Sequence, residues 1–364
     1  MFKNIFNGRR VLVTGHTGFK GSWLCAWLSD LGAIVAGYSL GVPTQPSHFD
    51  ALTLADRIEH FTGDVRNKNT LQQALNQFRP EIVFHLAAQS LVRKSYEDPA
   101  LTFVTNTVGT LNLLECLRNT PQIAAAVLIT SDKCYENVEW LWGYRENDLL
   151  GGKDPYSASK ACAELVSKVY MESFFKESGP NIATTRAGNV IGGGDWASDR
   201  VVPDCVRAWS EGKSVVIRNP NSTRPWQHVL EPLSGYLALG QKLFQGDARV
   251  KNQALNFGPQ AQVNQSVSEL INAMTRFWPN AESNLQQETN SKKLESTLLK
   301  LNCDKALQIL GWKAILNFEE TVRMTGEWYQ KFYEHGLSSI SKTTSGQIKK
   351  YSEKATQSNL PWTQ

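Results

Sequence analysis

A doubly wound parallel α/β sheet, with a smaller mixed α/β lobe laid over its ligand edge, is the fold this sequence predicts. Three observations predict it. Short apolar runs alternate with helical stretches from the start of the chain, and those runs are apolar on both faces, as strands covered by helices on either side are. Gly15, Gly18 and Gly21 form a Gly-x-x-Gly-x-x-Gly turn directly between the first run and the first helical stretch. The open form of such a sheet is the Rossmann type.

Taken in order, Arg10–Thr14 is the first strand, and Trp23, Leu24, Trp27, Leu28 and Leu31 recur at helical spacing behind it. Ala33–Tyr38, a run ending at the Gly63-Asp64-Val65 turn, Ile82–Leu86, Ala125–Thr130 and Ile182–Arg186 read as further strands. Thr70–Gln77, Val108–Leu117 and Pro155–Lys176 read as the helices between them. After about residue 190 the texture changes to short segments broken by Gly192–Gly194 and by Pro203, Pro220, Pro225 and Pro232. The expected organisation is therefore a cofactor domain over 1–190, a substrate lobe over 191–335 and a polar tail over 336–364. Segments such as 228–260, with the strand-like Ala254–Phe257, return to the first domain. The tail is polar, lacks a helical or strand period and is expected to be loosely held.

The 364 residues carry 38 Lys and Arg against 34 Asp and Glu, a net charge of +4 with no basic block, so a nucleic-acid partner is not expected. The closest two of the six cysteines are 18 residues apart, which excludes Cys-x-x-Cys chemistry. The six histidines lack ligand spacing, so no metal is expected. The charged N-terminus does not suit a signal peptide, and no apolar run suits a membrane span; a cytoplasmic protein is the expectation.

The glycine turn permits a tight bend, close approach of a diphosphate and tight packing of helix on strand. The phosphates then meet the positive end of a helix. The second strand ends Tyr38-Ser39-Leu40, without the acidic residue that commonly bonds a ribose, so NAD and NADP are not separated at that point. Asp64 could bond the adenine instead. Tyr156 and Lys160, four apart, share a helix face, and an ammonium favours the phenolate of a tyrosine acting as acid and base.

These features resemble the extended short-chain dehydrogenase/reductases. The carriers are the glycine turn, Asp64-Val65, His85-Leu86-Ala87-Ala88-Gln89, Asn106 and the Tyr156/Lys160 pair, and the likeness spans residues 8–335. Longer strings resemble the CDP-glucose 4,6-dehydratase family: 15–24, 129–137, 142–148, 186–200 and 218–236. The resemblance implies an NAD site formed by Gly15, Thr17, Gly18, Phe19, Gly21, Asp64, Val65, Leu86, Ala87, Ala88, Asn106, Tyr156 and Lys160. It implies CDP-glucose as substrate and three steps: oxidation at C4, loss of water across C5–C6, and return of hydride to C6.

Under that resemblance Tyr156 takes the C4 hydroxyl proton and Ser131 hydrogen-bonds the same oxygen. Asp132, as a protonated acid, serves the leaving C6 hydroxyl. Lys133 stands where related dTDP-glucose enzymes carry a glutamate base, either as the C5 base or as a helper. Asn189 and Arg224 are assigned to the sugar diphosphate, with Arg200 and Arg93 as weaker candidates. Trp140, Trp142, Trp196 and Trp226 are expected to pack a lid rather than stack on a base. The sequence departs from the family at 290–295 and at Asn302. A 4-epimerase would not need an acid at C6, and a cofactor sensor would need neither Tyr156 nor Lys160. A homodimer is expected through Leu111, Leu114 and Leu117 on one helix and Leu165 and Val169 on another. The absent acid after the second strand, with the bulk of His16 in the turn, predicts an exchangeable NAD.

Overall fold

Alternation of apolar residues sets the two faces of the central sheet. In the computed structural model, which describes all residues except 218, 279–280, 282 and 285–297, Val11 and Val13 pack on one face and Leu12 on the other, all fully buried. The strands are β1 (Arg10–Thr14), β2 (Ile34–Ser39), β3 (Glu59–Thr62), β4 (Ile82–His85), β5 (Ala125–Ile129), β6 (Asn181–Arg186) and β7 (Ala254–Asn256). They pair in parallel in the order β7-β6-β5-β4-β1-β2-β3. The order reverses between β1 and β4, and a crevice outside the carboxyl ends at such a reversal is where this architecture takes ligands.

The helices of ten residues or more, among the described residues, are α1 (Phe19–Asp30), α2 (Lys68–Phe78), α3 (Gly109–Arg118), α4 (Pro155–Ser173), α5 (Val201–Ser210), α6 (Leu230–Phe244), α7 (Phe318–His335) and α8 (Ile340–Gln357). One face of the sheet is covered by Leu71, Leu75 and Phe78 of α2, Leu113, Leu114 and Leu117 of α3, and Met171 of α4. Helix α1 is apolar on most sides because it lies between the sheet and the C-terminal helices α6 and α8. Three short ladders, 190–191 with 227–228, 223–224 with 265–266, and 215–216 with 283–284, brace the smaller lobe.

Two expectations are sharpened. Helix α6 packs on β5 and β6, and β7 extends the sheet beside β6. One hydrophobic cluster runs from Val11 of β1 to Trp328 of α7, so packing does not break at residue 190. The loosely held tail is not observed. Helix α8 buries Ile340, Thr344, Ile348, Tyr351 and Ala355, and the Trp362 ring stacks on Phe2 at 5.1 Å. These positions follow a helical spacing of three and four, but Thr344 and Ala355 are two of the five and the outer face is Lys- and Ser-rich. A weak apolar stripe suffices where a partner surface already exists.

Candidate active site

The floor of the site is the turn after β1. Gly15 has φ +74°, and a Cβ there would come within 2.7 Å of the Ala87 nitrogen; a Cβ on Gly21 would meet the Gly15 carbonyl oxygen at 2.2 Å. Gly18 caps α1 without any side-chain bond, which leaves N–H groups of the first helical turn for a ligand. A cavity of about 420 Å³ opens over this turn and runs along the carboxyl ends of the strands. Gly15, Thr17, Gly18, Phe19, Gly21, Asp64, Val65, Leu86, Ala87, Ala88, Ser131, Tyr156, Lys160 and Arg200 all line it. The glycine cradle suits a diphosphate, and the apolar Val65 and Leu86 with the hydroxyls further along suit a nucleoside. The residues fit a dinucleotide cofactor.

Some predicted cofactor features sit elsewhere. Asn106 is buried and does not line the cavity; it bonds the backbone of Gln89, at 2.8 and 3.0 Å, and the Ser159 hydroxyl at 2.9 Å. It stands in a π-helical turn, 104–108, and ties the segment after β4 to the helix carrying Lys160. The His16 ring does not crowd the phosphates. It lies beneath the turn, where a Cβ on Gly37 would strike it at 2.1 Å, and bonds Ser39 at 2.9 Å and His60 at 2.6 Å. That removes the steric half of the argument for an exchangeable cofactor. Ser39 takes the place of the missing acid at the end of β2. The Asp64 carboxylate is held by Arg66, at 2.8 Å from its Nε, and sits below the usual carboxylate range for that reason.

Asp154 caps α4 by accepting the Ser157 N–H at 2.9 Å, and Pro155 opens its first turn. The cap fixes Tyr156 in that first turn with Lys160 one turn further on. Burial pushes the Tyr156 phenol up to about 12, against its hydrogen bond with Ser131. Burial lowers Lys160 to about 8, against Cys134 and Glu164. Ser131 also donates to the Asp132 carboxylate at 3.0 Å and accepts the Lys133 N–H at 3.2 Å. Asp132 is 4% exposed, and the Asn189 amide stands 3.4 Å from its second oxygen. Gly188 makes room for it, since a Cβ there would fall 1.8 Å from that oxygen.

Lys133 is not brought into this cavity. It lines a neighbouring one of about 240 Å³ with Tyr135, Asn137, Lys153, Asp154 and Ser157. The cause is local: 132–134 form a 3-10 turn, in which consecutive side chains leave about 120° apart. Arg200 lines the main cavity, paired to Asp195 at 2.7 Å and donating to Ser90 at 3.1 Å. Arg93 pairs with Asp199 at 3.0 Å outside it. Arg224 lies on a short ladder, donating to the Thr223 carbonyl at 2.9 Å, and is not among the cavity's walls. Trp196 lines the cavity and packs on Trp328, Tyr329 and Phe332, and Trp226 is buried. Trp142 is exposed and edge-on to Trp140. Asn302 bonds Asp304 at 2.8 Å, and 290–295 lie outside the described residues. Sequence reasoning missed Lys20, Ser39, Thr44 and Asp195 as walls; only Lys20, inside the glycine turn itself, carried a visible signal.

A parallel sheet with a glycine turn at its switch point and a Ser–Tyr–Lys set facing it defines an extended short-chain dehydrogenase/reductase. Residues 12–325 match the family model described as GDP-mannose 4,6 dehydratase. A CDP-glucose 4,6-dehydratase of Salmonella typhimurium is 49% identical over 333 residues, covering 90% of this chain and 92% of that one. Two solved structures extend the likeness. An epimerase of Methanothermobacter thermautotrophicus superposes with a TM-score of 0.79 at 23% identity, covering 93% of this chain and 97% of that one. A UDP-glucose 4-epimerase of Thermus thermophilus, solved with NAD, gives a TM-score of 0.75 at 26% identity, covering 88% and 99%. The chain belongs to the NAD-dependent nucleotide-sugar 4,6-dehydratase family.

Proposed function

We propose that this protein converts CDP-glucose to CDP-4-keto-6-deoxyglucose and water, as a hydro-lyase with no net oxidation. The observation that carries the proposal is Asp132, a buried carboxyl bonded to the same Ser131 hydroxyl that bonds Tyr156. A 4-epimerase needs the tyrosine and the hydroxyl but has no leaving group to protonate. Bound NAD supplies the removal of a hydride from C4 and its return at C6.

The chain's own residues do the proton work. Tyr156 receives the C4 hydroxyl proton as the phenolate, the form that the Lys160 ammonium one turn along its helix favours against burial, while Ser131 holds the oxygen. Oxidation acidifies the C5 proton, which passes to a water molecule in the cavity and is given back to C5 when hydride reaches C6. Asp132 then delivers a proton to the departing C6 hydroxyl, and its burial keeps bulk water from that exchange. Lys133 acts as a helper, fixing Ser131 through its backbone N–H. Arg200 and Asn189, on the sugar side, orient the nucleotide sugar.

Val104 and Val108, on the π turn before α3, and Leu165 and Val169, on α4, are exposed, and α3 and α4 pack side by side. They form the face through which a second copy pairs. Leu114 and Leu117, expected there, are buried under the sheet instead. No helix among the described residues is long and apolar enough to cross a membrane. The place proposed for the enzyme is the cytoplasm, and its product belongs to the supply of deoxysugars for surface polysaccharide.

The test is to incubate the purified protein with NAD⁺ and CDP-, UDP-, dTDP- and GDP-glucose separately. A 4-keto-6-deoxy sugar absorbs characteristically in alkali. CDP-glucose should turn over fastest; turnover of another glucose nucleotide in its place would remove the base assignment, and turnover of none would remove the dehydratase.

A further inference from the structure

The segment 192–200, just before α5, forms one wall of the main cavity through Gly194, Asp195, Trp196 and Arg200. Its far side lies against α7. A Cβ on Gly193 would fall 2.0 Å from the Trp328 ring, and Trp196 packs on Trp328, Tyr329 and Phe332. Tyr329, fully buried, does more than fill that space. Its hydroxyl donates to the Asp195 carbonyl at 2.5 Å and accepts the Asp195 N–H at 3.1 Å. A phenylalanine would pack as well, so the hydroxyl serves to hold the backbone of that one residue. Asp195 carries the hold forward. One of its carboxylate oxygens accepts the Ala197 N–H at 3.1 Å, and the other accepts from Arg200 at 2.7 Å. Arg200 donates a second time to Ser90, in the segment after β4, at 3.1 Å. A guanidinium has five donors, so these two bonds leave others for an anion in the cavity.

We infer that Tyr329 and Asp195 are positioning residues, a strut from α7 that fixes the Arg200 guanidinium where it meets the diphosphate of the nucleotide sugar. The inference rests on Arg200 orienting that sugar nucleotide, as proposed above. Tyr329 itself is not among the cavity's walls. An arginine on a free loop loses much of its pull to the entropy of its own torsions when it binds. Bonded at two points of its fork and anchored through Asp195 to a buried helix, Arg200 is ordered before the ligand arrives. The strut therefore acts on binding and orientation, because the charge of Arg200 is present with or without it.

The test is steady-state kinetics with CDP-glucose on the whole protein, Tyr329→Phe, Arg200→Met and the double variant. Tyr329→Phe should raise KM about three- to ten-fold with kcat nearly unchanged, as loss of a neutral hydrogen bond does. Arg200→Met should raise KM roughly ten- to a hundred-fold, as loss of a charged one does. In the double variant the tyrosine change should add almost nothing, because the arginine it positions is gone. Two effects that multiply in full would mean that Tyr329 acts on the fold alone and would overturn the inference. So would an unchanged KM in Tyr329→Phe. A silent Arg200→Met removes Arg200 from the sugar nucleotide, and the inference with it. Phenylglyoxal labelling of Arg200, followed by peptide mass, reads the strut without substrate. Released from its hold, Arg200 should label several-fold faster in Tyr329→Phe, and an equal rate overturns the strut. If the unaltered protein does not turn over CDP-glucose, that counts against the proposed substrate, while the labelling still decides whether Tyr329 holds Arg200. If Tyr329→Phe fails to fold, Asp195→Asn, which weakens the same pair and is checked by its melting temperature, carries both measurements.

Discussion

Ser131 joins the two halves of the chemistry, because its hydroxyl meets both the Tyr156 phenol and the Asp132 carboxylate. The two partners should therefore separate by mutation. Asp132→Asn keeps the size and the hydrogen bond but cannot deliver an acidic proton, so dehydration should fall by about 10²–10⁴-fold. NADH should accumulate with a 4-keto sugar that keeps its C6 oxygen, measurable by the absorbance of the reduced nicotinamide and by mass. Loss of NADH formation with substrate binding intact would place Asp132 in the oxidation step. Gly188→Ala tests the same carboxylate from behind. The added methyl would occupy the space 1.8 Å from a carboxylate oxygen, and the side chain must swing away. Dehydration should drop at least ten-fold with the melting temperature nearly unchanged; a silent Gly188→Ala would mean that Asp132 needs no fixed position.

At the scale of the element, the turn bearing Ser131 and Asp132 rests on a buried charge network joining β5, β6 and α4. Glu164 of α4 accepts from Thr130 at 2.5 Å, Thr184 at 2.9 Å and Arg186 at 2.8 Å, and Arg186 reaches on to the Tyr135 hydroxyl at 2.7 Å. Burial disfavours the charge on Glu164, but Arg186 and the two hydroxyls outweigh it and keep the acid below its ordinary range. Removing one partner of such a pair leaves the other charge buried alone. Glu164→Ala should lower unfolding free energy by about 3–5 kcal/mol, read from urea midpoints at constant slope. A change under ~1 kcal/mol would show the network to be slack. The outer face of the same helix gives a different prediction. Leu165 and Val169 are more than half exposed, so Leu165→Glu with Val169→Glu should yield monomers by light scattering without loss of fold. An unchanged mass, or a monomeric unaltered protein, would rule out that face.

At the scale of the whole molecule, burial governs the response to acid. His16, His48, His85 and His228 are each lowered from 6.5 to about 3, chiefly by burial. The unfolded chain binds protons at these rings below pH 6.5, whereas the folded chain stays neutral down to about pH 3. Stability is therefore full above pH 6.5 and lost as pH falls toward 3, by about 2 kcal/mol per ring at pH 5. Urea unfolding at pH 7, 6 and 5 should show a steady decline. A flat profile would mean that the rings are reached by water or charged in the fold.

The sequence by itself determined the parallel sheet, the glycine cradle and the pairing of Tyr156 with Lys160, because each is encoded locally. Strand burial is written in consecutive apolar residues, a tight turn in its glycines, and a helix face in a spacing of four. It also carried the tail helix, whose stripe of Ile340, Thr344, Ile348, Tyr351 and Ala355 is regular but too weakly apolar to stand out. Only the tertiary structure decided where the remaining charges point. Asp132 and Lys133 are adjacent in sequence, yet a 3-10 turn sends one toward Ser131 and the other into a separate cavity. Leu114 and Leu117 share a stripe with Leu111, yet the position of α3 against the sheet buries them. His16 stands in the phosphate turn, yet the space over Gly37 draws its ring beneath the strands. A side chain's direction depends on which neighbouring surface has room and a partner for it, and that surface comes from residues distant in the chain.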